Sequence, residues 1–79
     1  MYIEDYNKKY GTYYANWQDV KNAQMYIVNG IVCDFFDAGK RPTKQQIMGA
    51  WESMHGSEVR MFTLVDIDWI IAKVAKFYN

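Results

Sequence analysis

Cys33 and His55 are the chain's single cysteine and single histidine, the two side chain types best suited to nucleophilic or acid–base work near neutral pH. Such work needs a nucleophile and a base within hydrogen-bond reach, and nothing in their spacing recruits one to the other. Cys33 falls among Val32, Asp34 and Phe35 with no basic neighbour to favour a thiolate, so the sequence predicts an inert thiol. His55 shares a helical face with Glu52, but its place directly before Gly56 reads as a cation closing a helix C-terminus. Metal chemistry fares no better. A lone cysteine excludes both an internal disulfide and a cysteine-based zinc site within one chain. Asp34 and Asp37 share a face without a third ligand, while Asp66 and Asp68 diverge on a helix and suit the dipole of its first turn. Glycines 11, 30, 39, 49 and 56 form no phosphate-cradling loop. The expectation is a protein without enzymatic activity and without a cofactor.

The best polar cluster is Lys40, Arg41 and Lys44, which surrounds the start of a helix where free backbone amides favour an anion. Phe35-Phe36, Gly39, Pro42-Thr43 and Ile47 together resemble the first two helices of helix-turn-helix domains, and Arg60 would add a fourth cation. This predicts an anion or nucleic-acid contact as the second functional reading. It weakens downstream, because a third helix starting at Thr63 would present Asp66 and Asp68 to the phosphates. A start at Ser57 would turn Glu58 and Arg60 to the groove instead. Nine basic against nine acidic residues also leave no positive excess for nonspecific binding.

The elements that would position these residues follow from capping signals. Asn16 with Asp19, Thr43 with Gln46, and Thr63 with Asp66 each pair an N-cap oxygen with an N3 acceptor, and Phe62 and Ile67 complete a staple around the last. Gly39 and Gly56 supply stops, and Lys73 and Lys76 suit a final turn. We therefore expect an all-α fold: a small bundle of three main helices near 16–38, 43–55 and 63–78, within a single domain over 1–79. A short helix near 2–10 precedes them, and its tyrosines are expected to lie against the bundle. Two segments carry alternatives of element type: a hairpin over 25–35, signalled by Asn29-Gly30, competes with the first main helix, and Glu58 to Phe62 reads either as a short strand or as irregular.

Apolar residues exceed what one seam needs. On the last helix Leu64, Ile67, Ile71, Val74 and Tyr78 make a core stripe, with Val65, Trp69 and Ala72 on the opposite side. On the first main helix Met25, Val32 and Phe36 fall outside the stripe of Val20, Ile27 and Ile31. Either the tyrosine-rich N-terminal segment covers these extra stripes, or a protein does; Val65, Trp69, Met25, Val32 and Phe36 are the expected interface. The partner would be another protein or a second copy in a homodimer, with no membrane contact, since no apolar run approaches a bilayer's thickness.

The N-terminus lacks the basic and apolar regions of a signal peptide, and one cysteine fits a reducing cytoplasm. Leu64 is the single leucine beside seven isoleucines and seven tyrosines, a bias that AT-rich codons produce and that points to a bacterial, phage or mobile-element genome. The primary expectation is a small intracellular regulator or inhibitor acting through a protein interface. A helix-turn-helix-like DNA binder is second, and a noncatalytic subunit of a larger assembly third.

Overall fold

The computed structural model describes residues 2–55 and 64–78. It contains four helices, α1 (Ile3–Tyr10), α2 (Trp17–Asp37), α3 (Lys44–His55) and α4 (Ile67–Tyr78), and no strand among the described residues. The fold is the expected all-α bundle with a short N-terminal helix. Gly56, Glu58 to Phe62 and Thr63 lie outside the described residues, so the expected stop and the short strand between α3 and α4 do too.

α1 carries Glu4 and Asp5 in its first turn and Lys8 and Lys9 in its last, the charge order that its dipole favours. It ends at Gly11, whose φ of 66° is the left-handed conformation that glycine adopts without a Cβ clash. Asn7 then fixes the chain that follows. Its Oδ1 accepts from Thr12 Oγ1 at 2.8 Å and from the Tyr14 amide at 3.0 Å, while its Nδ2 donates to the Tyr14 carbonyl at 2.8 Å. The turn brings Tyr14 and Trp17 back to the fully buried Tyr6, whose ring centroid lies 4.8 Å from Tyr10, 6.2 Å from Tyr14 and 5.3 Å from Trp17. Tilted and edge-on ring packing of this kind anchors α1 at the start of α2.

α2 starts where predicted, with Asn16 Oδ1 accepting from the Asp19 amide at 2.9 Å. It then runs unbroken through Asn29 and Gly30, so the hairpin alternative over 25–35 is not formed. A primed hairpin turn requires positive φ, and the described residues with positive φ are Gly11 and Gly39 alone. The helix closes in a Schellman motif: the Gly39 amide bonds the Phe36 carbonyl at 2.9 Å and the Lys40 amide bonds the Phe35 carbonyl at 3.0 Å. α3 opens on the expected reciprocal capping box, the Gln46 amide donating to Thr43 Oγ1 at 3.2 Å and the Thr43 amide to Gln46 Oε1 at 2.9 Å.

α4 begins later than the sequence suggests. Asp66, expected as the N3 residue of a helix capped by Thr63, is itself the cap, its Oδ1 accepting from the Trp69 amide at 3.0 Å. The preceding chain is tied to α2 by Gln24, 1 % exposed, whose Oε1 accepts the Leu64 amide at 3.0 Å. Val65, between that bond and the cap, is buried in the core, and the helix starts at Ile67.

The core joins Val28, Ile31 and Val32 of α2, Ile47 and Trp51 of α3, Val65, and Ile67, Ile70, Ile71 and Val74 of α4. α2 is the central element and has α3 and α4 as neighbours. α4 lies beside it in the same direction, its start near Met25 and its end at Phe36 and Asp37. A helix covered from two sides buries a wider arc than one seam demands, which accounts for much of the apolar excess on α2.

Candidate interaction surface

The five expected interface residues divide between core and surface. Val32 is completely buried in the core, and Val65 precedes α4 rather than lying on it, so it never joins a helical stripe with Trp69 and Ala72. Both serve the chain's own packing. Ala72, the third member of that stripe, is exposed. Phe36 is half-buried and stacks on Tyr78 with ring centroids 5.2 Å apart and planes 22° apart. Met25 and Trp69 remain, and the parallel packing of α2 and α4 sets them side by side.

They line a shallow apolar groove between the two helices. It comprises two adjoining depressions of about 260 and 310 Å³ that share Met25, Trp69 and Ile70. Tyr26 and Asn29 extend it on α2, Lys21 and Asp66 stand at one end, and Lys73 stands at the other. Trp69 is 53 % exposed and Tyr26 84 % exposed, two large aromatics left uncovered at one place. The tyrosine-rich N-terminal segment does not cover them, since its own aromatic packing centres on Tyr6 and Trp17. The Lys73 ammonium lies 5.0 Å from the Trp69 ring centroid, a cation–π contact that orients both groups along the rim.

Tyr26, Lys21 and Lys73 are among the members of this surface that periodicity misses. Tyr26 follows the flagged Met25 directly, yet a helical wheel assigns it to the solvent side, and only the position of α4 shows that this side borders a groove. The rim charges look like ordinary solubilising lysines until the helices are placed together.

The basic cluster has a different character. Lys40, Arg41 and Lys44 are exposed around a buried Pro42 at the start of α3. Two of the amides an anion would use there, those of Thr43 and Gln46, are already bonded within the capping box. Arg60 lies outside the described residues. The side chain of His55 is likewise not among those described. Cys33 is half-buried, and the Asn29 amide nitrogen lies 4.0 Å from its sulfur. Among the described residues no helix is long and apolar enough to cross a membrane.

No protein-family model, no curated protein and no solved structure matches this chain.

Proposed function

We propose that this chain is a small noncatalytic binding protein, a regulator or inhibitor that works by engaging another protein surface through the α2/α4 groove. The observation that carries the reading is the exposure of Trp69 and Tyr26 beside the half-buried Met25 on one contiguous face. Aromatic residues and methionine concentrate in interface cores, and Trp and Tyr supply a disproportionate share of binding energy there. The rim of Lys21, Asp66, Asn29 and Lys73 gives the polar border such a face requires. A cytoplasmic setting agrees with the single cysteine, and a phage or mobile-element origin agrees with the small size and AT-biased composition.

The test is affinity purification of the tagged chain from the organism that encodes it, run beside a Trp69→Ala variant whose helical circular dichroism matches the parent's. A protein retained by the parent and lost by the variant supports the reading. Retention of no protein, not even a second copy, or equal retention by both, overturns it.

A further inference from the structure

Resting on that protein-binding reading, we infer that the occupant of the α2/α4 groove is a second copy of this chain, docked about a twofold axis at Trp69. The argument is charge order. Asp66 stands three residues before Trp69 and Lys73 four residues after it, and both border the same groove. Asp66 is the cap of α4, and Trp69 and Lys73 lie within the helix one turn apart on the side that lines the groove. A uniformly acidic partner would meet Asp66, and a uniformly basic one would meet Lys21 and Lys73. A second α4 laid antiparallel across the first meets neither conflict. With the two Trp69 residues at the axis, each Asp66 faces the other copy's Lys73, since the offset of three on one side matches the offset of four on the other within one residue. A twofold contact requires this self-complementarity, in which a residue of one copy meets its opposite number in reverse order.

The groups are also held ready. The Trp69 amide bonds Asp66 Oδ1 and fixes the carboxylate at the helix start, and Oδ2 has no hydrogen bond among the described residues. Lys73 is drawn over the Trp69 ring, so its ammonium already lies along the seam. Less side-chain freedom is then lost when the copies meet. Tyr26, beside Trp69, adds a second aromatic to each half of the contact.

Light scattering and sedimentation of the full chain over a concentration series up to millimolar test the inference. The parent should form dimers that weaken with added salt. Trp69→Ala and Lys73→Glu should each weaken association by about tenfold or more, the latter because it sets two carboxylates opposite each other. Asp66→Asn keeps the cap and removes one charge, so it should weaken association less than Lys73→Glu. The decisive arm mixes Lys73→Glu chains with Asp66→Lys chains: neither associates alone, and together they form a mixed dimer in which both charge pairs are restored. If Asp66→Lys fails to fold for want of its cap, the Lys73→Glu and Asp66→Asn comparison decides. A monomeric parent overturns the second-copy inference while leaving the binding reading to the purification experiment. So does a dimer indifferent to Trp69→Ala and Lys73→Glu, or a folded mixed pair that does not associate.

Discussion

The Tyr78 hydroxyl donates a 2.5 Å hydrogen bond to Asp37 Oδ1, joining the last residue of α4 to the last residue of α2 across 41 positions of sequence. The same ring stacks on Phe36, so one side chain fastens the two parallel helices at their C-terminal ends. Donation to a carboxylate stabilises the neutral phenol, and that bond is the main reason the Tyr78 pKa is pushed up from 10.0 to about 12, with desolvation and the nearby negative charge adding to it. A pKa higher in the folded than in the unfolded state makes a contribution that is complete below pH 10 and lost as pH rises toward 12. The parent should therefore melt above a Tyr78→Phe variant from neutral pH to about 10, and the gap should close in more alkaline buffer. A gap that stays constant through this window would show that the hydroxyl makes no such bond in solution.

Gly30 interrupts nothing. A Cβ placed there meets no atom of the described residues within 4 Å beyond its own stretch of helix backbone, and its φ is not positive. Replacing it by alanine should relieve the entropic cost of glycine in a helix interior and stabilise the fold by about 1 kcal/mol. For a domain of this size that is a rise of about 4–8 °C in melting midpoint. A lowered midpoint would show that α2 is not continuous at this residue in solution.

Helix boundaries set by a single capping residue were legible, and those set by tertiary contacts were not. Asn16, Thr43 with Gln46, and Gly39 each do in the structure what their local sequence predicts. The start of α4 defeated the same rule because Thr63 and Asp66 both qualify as caps, each followed by a usable first turn. Leu64 and Val65, between them, are placed by tertiary contacts that no local pattern encodes, among them the Gln24 bond to the Leu64 amide across 40 residues. The candidate surface shows the same division. Trp69 and Met25 share their extra stripes with Val65 and Val32, and the pairs could be separated only once α3 and α4 were seen to cover α2 from two sides. A wheel drawn through Val65 also assumed a helix where none begins.

Asn7 should prove the organiser of the N-terminal segment. Its side chain makes three hydrogen bonds to Thr12 and Tyr14, and the Tyr14 ring reaches Tyr6 through the turn they hold. Asn7→Ala removes all three at once and leaves the Tyr14 amide without that acceptor, a loss of about 1–3 kcal/mol. The effect should be local, because Tyr6 lies outside the core that joins α2, α3 and α4. Hydrogen exchange should quicken through α1 and the 11–14 turn while protection in α2 and α4 persists. Uniform loss of protection along the chain would contradict this division.

Duplex DNA should bind weakly and without sequence preference. Lys40, Arg41 and Lys44 offer three exposed cations near one turn, but the chain is neutral overall and Asp66 and Asp68 are exposed at the start of α4. Retention in a mobility-shift titration should vanish as salt approaches physiological strength. Tight, sequence-dependent retention abolished by Lys40→Ala with Arg41→Ala would place function at the α3 start rather than at the α2/α4 groove.

Trp51 and Trp69 should separate stability from binding. Trp51 is 0 % exposed and packs beside Ile47 in the core, so Trp51→Ala removes a buried indole and should cost about 3–5 kcal/mol. At about 0.05–0.15 kcal/mol per residue that is a large part of the stability available to so short a chain, and the variant should lose its helical signal or aggregate. Trp69 is 53 % exposed, and its described ring partner is the Lys73 ammonium, a contact worth about 0.5–1 kcal/mol at an exposed site. Trp69→Ala should therefore keep the helical spectrum and most of the melting midpoint while losing association. Measured together by circular dichroism and light scattering, the two variants have opposite expected outcomes. If Trp69→Ala unfolds as Trp51→Ala does, the indole at the groove is a structural residue and the surface has no binding role to lose.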